Sequence, residues 1–428
     1  MNYSEILTKL SSQSLRDYFK KLYGNKKTAL DFQIQRYKKL VEKFAIDFPE
    51  SGNIYLFSTP GRTEVGGNHT DHNAGRVLAA AVDLDIIAAA SPSEDSLITI
   101  YSDGYPVIRV NVNDPEKRDD EKYTSSALVR GVCSRMKQLG YKTGGFHASV
   151  NGRVPGGSGL SSSAAFEVLI ATILNHFYND GKINNTVIAQ IAQYAENEYF
   201  GKPCGLMDQT ACAYGGLVFI DFKDFNNPVI EKLNFDFSRE GYTILIIDTG
   251  GNHADLHDEY EALENEMKSV AKALGGKVLR EFSDSLVLEK LTEIRGIVSD
   301  RAILRAFHFF NDDKRVVKQV EALKSKRFDD FLQLIKESGE SSWMLCQNIY
   351  SSKDTKTQGI SIALATTGQI LKEGAWRVHG GGFAGTIQVF LKSADLGNYI
   401  GKMKEIFGPE SCHEIFIRPV GTTMVDLI

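Results

Sequence analysis

The chain has 428 residues, more than one hydrophobic core usually serves, so two domains of about 200 residues with a ligand cleft between them are expected. Hydrophobic residues at 42% and charged residues at 24% exclude a disordered or low-complexity chain. Lys and Arg number 49 against 54 Asp and Glu, a formal charge of −5, which excludes a global basic field for nucleic acid or an anionic membrane and leaves any anionic ligand to local groups.

From residue 14 to 48, Phe19, Tyr23, Phe32, Tyr37, Leu40, Val41 and Phe44 recur among lysines, predicting amphipathic helices laid on a domain surface. Residues 53–59 read as a strand stopped at Pro60 and Gly61, and residues 75–90 as another. Residues 97–102 and 107–112 add two more. Residues 125–140 read as a helix, and 145–154 as a strand that runs into a glycine-rich loop, after which the period turns helical from Leu160. A helix over 186–198 leads through Gly201 and Pro203 into CGLMDQ (204–209).

Strands at 216–222 and 243–248 bracket a charged segment. The domain change belongs there, giving domains 1–220 and 221–428. Residues 255–363 are mostly helical, with breaks expected near Gly275, Asn311 and Gly339. The chain closes on a glycine turn feeding a strand (375–391) and a short strand (415–418) stopped by Pro419. Strands first and helices interleaved afterwards point to an α+β fold of two domains, not a doubly wound parallel sheet. The five cysteines are odd in number and scattered without zinc spacing, which reads as reduced thiols in a cytoplasmic protein. The N-terminus has no apolar signal segment, and no window is long and apolar enough to span a membrane.

Four segments carry chemistry. In VPGGSGLSSSAA (154–165) a strand meets a glycine-serine loop and then a helix. Gly156, Gly157 and Gly159 let backbone N–H groups approach phosphate, the helix N-terminus adds a favourable dipole, and Ser161, Ser162 and Ser163 can bond phosphate or ligate Mg²⁺. No lysine follows, so it is not the common P-loop. The bland alternative is a serine-capped flexible turn. In PGRTEVGGNHTDHNAG (60–75), Arg, Glu, His, Asp and His crowd a glycine-rich loop, a density that usually serves a ligand, with a metal site or a solvated turn as rivals. Asp208 sits among small and apolar residues. An Asp held ionised by an Arg can accept a proton in phosphoryl transfer to an alcohol, although an N-cap is an equal reading of Asp208 alone. GGGFAG (380–385) is either a tight turn or a close backbone approach to ligand.

The order of these four segments resembles the GHMP kinases, and their details resemble galactokinases. PGRTEVGGNHTDHNAG is similar to the family's sugar signature, PGGSGLSSSAA to its ATP loop, CGLMDQ to its catalytic-aspartate turn and GGGFAG to its third motif. FKKLYG near the N-terminus and residues 248–260 add to the match, which spans almost the whole chain. The resemblance implies a two-domain GHMP kinase fold, a ribosomal protein S5 domain 2-like domain followed by a ferredoxin-like α/β sandwich, with the active site in the cleft. It implies ATP and Mg²⁺ as cofactors, the anomeric C1 hydroxyl of galactose as acceptor, and a monomer.

Residue by residue, the resemblance implies Asp208 as base and Arg62 as its partner. Ser163 and Glu196 become Mg²⁺ ligands. Asn68, His69, Thr70, Asp71 and Tyr260 become sugar contacts. Gly156, Gly157, Ser158, Gly159, Leu160, Ser161, Ser162 and Ser163 become the triphosphate loop, with Ser102 a further nucleotide contact. Three departures stand out. The family has Glu at position 68, Tyr at 72, and Gly-Gly-Cys where this chain has Ala384, Gly385 and Thr386. Asn68 removes a charge beside the sugar's C6, so galacturonate or another C6-modified sugar is the alternative substrate. A catalytically silent sugar sensor and a kinase of a non-sugar alcohol such as mevalonate are the remaining rivals.

Overall fold

The computed structural model describes residues 1–156, 159–251 and 256–427. Its strands are β1 (Tyr55–Gly66), β2 (Arg76–Pro92), β3 (Leu97–Ser102), β4 (Ile108–Asn111), β5 (Phe146–Gly152), β6 (Leu217–Asp221), β7 (Val229–Leu233), β8 (Tyr242–Asp248), β9 (Ala375–His379), β10 (Thr386–Lys392), β11 (Cys412–Ile415) and β12 (Thr423–Met424). They form two sheets. The larger runs β12-β1-β2-β5-β3-β4, with β6 on the free edge of β2 and β7 beside it; the smaller runs β11-β8-β10-β9. Every pairing is antiparallel except β3 with β5. This is an α+β architecture, as expected. No helix among the described residues is long and apolar enough to cross a membrane.

β2 shows why the larger sheet is buried on both faces. Its sequence RVLAAAVDLDIIAAASP is apolar at odd and even positions alike, the pattern of a strand covered twice. Ile87 and Ala89 join Leu56 against Phe44, Val41 and Tyr37 of the helix Lys27–Asp47. Ala88 and Ala90 join Phe57 in the core that includes Val168 and Leu169 of the helix Ser162–Tyr178. That same core continues through Phe331, Ala375 and Phe390 to the smaller sheet.

Several sequence expectations change. β1 does not stop at Pro60 and Gly61 but runs on to Gly66, with register shifts at Pro60/Arg62 and Glu64/Gly66; an interrupted ladder is where a proline without an N–H can sit. The helix Asp300–Lys324 passes unbroken through Asn311, and Phe328–Ser341 through Gly339. Gly339 lies in mid-helix because a Cβ there would stand 3.1 Å from the Trp376 carbonyl, so the glycine lets the helix close on β9. The strand expected at 415–418 lies earlier, at Cys412–Ile415, and beyond it Ile417 makes only a single bridge to Val82 before β12 returns to β1.

One buried carboxylate ties the ends of the chain to the larger sheet. Asp85 on β2 is fully buried and accepts hydrogen bonds from Tyr23 (2.6 Å), Ser58 (2.6 Å), Arg36 and Arg418 (3.2 Å). Burial alone would raise its pKa, but the two guanidinium groups hold it below the usual carboxylate value. Asp85→Ala leaves two buried cations without their anion and should cost about 3–5 kcal/mol of unfolding free energy. Urea denaturation reads this as a lower midpoint at unchanged slope. A midpoint matching that of the wild type would show the carboxylate to be dispensable.

Candidate active site

The bulge in β1 builds the centre of the site. A Cβ on Gly61 would stand 2.7 Å from the Leu160 carbonyl, so only glycine lets the glycine-serine loop press against the strand. The same carbonyl accepts the Arg62 N–H at 3.1 Å. Arg62, buried behind the loop, grips Asp208 with both sides of its fork: Nε to Oδ1 and Nη2 to Oδ2, each 2.6 Å. Its remaining Nη1 donates to the Gly159 carbonyl, and the Ser161 hydroxyl donates to Asp208 Oδ2. Asp208 lies in the first turn of the helix Met207–Tyr214 and keeps 24% of its side chain exposed. Burial pushes its pKa up, but the Arg62 charge and the hydrogen bonds outweigh that and hold it below the ordinary 3.8. The carboxylate is therefore ionised at neutral pH.

Ser161 explains why the loop suits an anion. It occupies the N-cap position of the 17-residue helix Ser162–Tyr178 in a left-handed conformation (φ 60°, ψ 63°), and its hydroxyl is spent on Asp208, so no side chain caps the helix. The first-turn N–H groups, around Ser162 and Ser163, stay available together with the positive end of the dipole. Gly156 has open space around it. Gly159 (φ +71°) sits against His379 and Thr386, and Leu160 is buried beneath the loop. Gly157 and Ser158 lie outside the described residues. Ser102 ends β3 beside Val150 of β5, on the strand pair that leads into the loop.

Ser163 Oγ donates to Glu196 Oε1 at 2.8 Å. Glu196 stands on the π-helical turn Ala195–Phe200, buried, with Gln209 Nε2 on its other oxygen at 2.9 Å and Lys202 Nζ at 3.6 Å. A hydroxyl and a carboxylate are hard oxygen donors of the kind Mg²⁺ takes, and Mg²⁺ is usually held by one or two protein oxygens plus phosphate and water. No group of three or more His, Cys, Asp or Glu among the described residues is arranged to hold a metal.

In the signature loop Asn68, Thr70 and Asp71 are buried and His69 is half-buried. Asn68 is completely buried: Nδ2 donates to Glu64 (3.1 Å) and the Gly380 carbonyl (2.9 Å), and Oδ1 accepts from Asn348 (2.9 Å) and Ser342 (3.2 Å). Its backbone N–H goes to Asp312 and its carbonyl accepts from His308. Thr70 is buried as well and bonds only the loop's own carbonyls, Gly67 and Arg76. Neither side chain has a donor left for a ligand.

His69 and Asp71 are less enclosed. His69 Nε2 meets the Gly381 carbonyl at 2.9 Å and so carries the proton, leaving Nδ1 as an acceptor. Burial, then nearby His72, lowers its pKa to about 3, so the ring is neutral. Asp71 packs on the turn that carries Asp208: a Cβ on Gly205 would come within 1.8 Å of Asp71 Oδ2. Tyr260 donates to the Gly382 carbonyl at 2.9 Å, so the GGGFAG turn serves as a backbone platform for Asn68, His69 and Tyr260 together. Part of the 248–260 segment, residues 252–255, lies outside the described residues. His72 packs between Asp71 and Glu264, at 3.7 and 3.6 Å.

Sequence reading missed the partners of Asn68. Glu64 stands in the same signature and offered a signal through its i, i+4 spacing. Arg377, which pairs with Glu64, and Asp312, His308 and Asn348 come from distant elements and offered none.

Residues 127–216 match the model for the GHMP kinases N terminal domain, and residues 42–92 match the galactokinase galactose-binding signature. The chain is 33% identical over 279 residues to the galactokinase of Streptomyces coelicolor, covering 63% of this chain and 69% of that one. With the galactokinase of Limosilactobacillus reuteri it shares 29% over 381 residues, 84% and 91% of the two chains. Among solved structures, Lactococcus lactis galactokinase complexed with galactose superposes with a TM-score of 0.78 at 24% identity over 89% of this chain and 98% of that one. The Methanococcus jannaschii mevalonate kinase follows at 0.61 and 16% over 86% and 99%. Fold and glycine-serine loop together define a GHMP kinase. Within that class, the chain belongs to the galactokinase family.

The Arg62 fork sets a pH expectation. Asp208 has its pKa depressed, so its carboxylate stays ionised at neutral pH and is protonated only as pH falls through that depressed value, below 3.8. Arg62→Gln removes the main lowering charge and leaves the burial, so the acidic limb of kcat/KM moves to higher pH. An unmoved limb in a folded variant would mean that the limb belongs to another group.

Proposed function

We propose that the protein is an ATP-dependent sugar kinase that transfers the γ-phosphoryl group of ATP to the anomeric C1 hydroxyl of galactose. The observation that carries this reading is the Arg62–Asp208 fork at the mouth of an uncapped helix N-terminus. It joins an ionised carboxylate and an anion seat within one hydrogen-bonded unit. Asp208 accepts the proton of the C1 hydroxyl while that oxygen attacks the γ-phosphorus in line and ADP leaves, with no covalent enzyme intermediate. Arg62 keeps the carboxylate ionised and oriented. The loop from Gly156 to Ser163 cradles the triphosphate, Gly157 and Ser158 included by resemblance. Ser102 is a further nucleotide contact. Ser163 and Glu196 hold Mg²⁺, which neutralises charge on the phosphates when bound.

For the sugar, neutral His69, Asp71 and Tyr260 are the contacts, and Asn68 and Thr70 hold the loop that presents them. The carboxylate that the family carries at position 68 is supplied here from Glu64, hydrogen-bonded to the Asn68 amide. The Asn68 donors are consumed by Glu64 and the Gly380 carbonyl and are not free to welcome a sugar acid, so galactose is favoured over galacturonate. The proposed domain division near residue 220 leaves β7 and β12 in the larger sheet although both lie beyond it in sequence. Five free cysteines support a cytoplasmic setting, and a monomer suffices for the chemistry.

The test is ATP-dependent product formation across galactose, glucose, galacturonate and mevalonate, with galactose 1-phosphate the expected main product. Asp208→Asn should abolish turnover yet leave ATP binding within about threefold, since the amide keeps its size and loses only proton acceptance. Retention of more than about a tenth of kcat would return Asp208 to a structural role.

Asn68→Glu presses a second carboxylate onto Glu64 and should cost about 3–5 kcal/mol of stability, with galactose and galacturonate activities falling together. Adding Glu64→Gln should restore part of the loss. If instead a folded Asn68→Glu protein changes the ratio of the two kcat/KM values by more than about tenfold, the side chain reads C6 directly.

A further inference from the structure

Outside the catalytic cleft, a cavity of about 280 Å³ opens beside the π-helical turn Ser342–Cys346. Trp343 and Tyr350 stand over it, 40% and 38% exposed, an unusual exposure for aromatic side chains lining one hollow. The π-helical turn turns Trp343 outward. It closes through the Gln347 N–H to the Ser342 carbonyl (2.8 Å) and leaves Gln347 in a left-handed conformation (φ 56°). Wide turns and strained residues of this kind cluster where a side chain has to be aimed at a ligand.

The polar lining is incompletely paired. Glu259 is 96% buried by difference from its 4% exposure and lines the cavity. One of its oxygens accepts from Ser351 at 2.7 Å; the other has no donor among the described residues, its nearest cation being Arg301 Nη1 at 4.0 Å. Arg301 spends Nε and Nη2 on Glu266 and makes no hydrogen bond through Nη1. The exposed Gln347 amide makes none among the described residues and lines the same cavity. An acceptor, a donor and an amide that is both are thus left open next to two aromatic rings.

We infer that this cavity is a second, non-catalytic binding site for a neutral hexose. Adjacent sugar hydroxyls each donate and accept, which matches a carboxylate, a guanidinium edge and an amide, while the C–H face of the ring covers an aromatic face. Charge decides against a phosphorylated ligand: Arg301 already faces two carboxylates, Glu266 and Glu259. Size decides against a nucleotide, because the cavity lies at the lower edge of the roughly 300–1,000 Å³ of small-molecule sites. The site shares one wall with the proposed substrate site. Phe383 lines the cavity and packs edge-on against Tyr260 at 5.6 Å, and Tyr260 directly follows Glu259 in sequence.

The chain has two tryptophans, so Trp376→Phe leaves Trp343 as the only one. In that protein, galactose and glucose are titrated separately while tryptophan emission is followed. A saturable change with either sugar is expected, its affinity weakened at least about tenfold by Gln347→Gly, which suits the left-handed backbone, and by Glu259→Gln. The kcat and KM for phosphorylation should stay within about twofold in both variants. The inference is overturned if neither sugar changes the emission, if both variants keep the affinity, or if the signal disappears with His69→Ala, since Trp343 would then be reporting the substrate site. Hexose binding here by a protein that phosphorylates no sugar would sink the kinase proposal and leave this one standing.

Discussion

Arg62 has its whole guanidinium edge committed, two nitrogens to Asp208 and the third to the Gly159 carbonyl. That one buried side chain fixes the distance between a carboxylate on the helix Met207–Tyr214 and a loop at the start of the helix Ser162–Tyr178. It can do so only because β1 bulges at Pro60 and Gly61, where a side chain would collide with the Leu160 carbonyl. The backbone irregularity and the electrostatic fork are parts of one constraint. A straight strand would keep the loop away, and without the fork the buried Asp208 would be driven towards its neutral form.

Ser161 extends that constraint to the anion seat. A serine at an N-cap normally bonds its own helix. Here the hydroxyl serves Asp208, and the helix is left with open N–H groups at the place where phosphate is expected. The strained backbone at Ser161 persists because the buried Leu160 before it and the fork beside it hold the loop in place.

The second organising knot surrounds Asn68. Glu64, Arg377, Asp312, His308 and Asn348 converge on it from β1, β9, the helix Asp300–Lys324 and the segment after Cys346. A carboxylate sits beside position 68 although position 68 itself carries none. Glu64 on β1 supplies that carboxylate four positions earlier, and the Asn68 amide is held from four sides.

The sequence by itself determined the strand–loop–helix of the glycine-serine segment, the amphipathic helices of the first fifty residues, the α+β class and the family. Each of these rests on local periodicity or on residues adjacent in the chain. It also placed Arg62 and Asp208 as partners, though only through resemblance. The tertiary structure alone decided that β1 continues past Pro60, because the ladder with β2 outweighs a local breaker. It likewise carried helices through Asn311 and Gly339, where packing against β9 overrides propensity. Above all it decided which signature residues face outward. The burial of Asn68 and His69 depends on partners some 240 to 310 positions away, and contacts at that separation leave no mark in a local pattern.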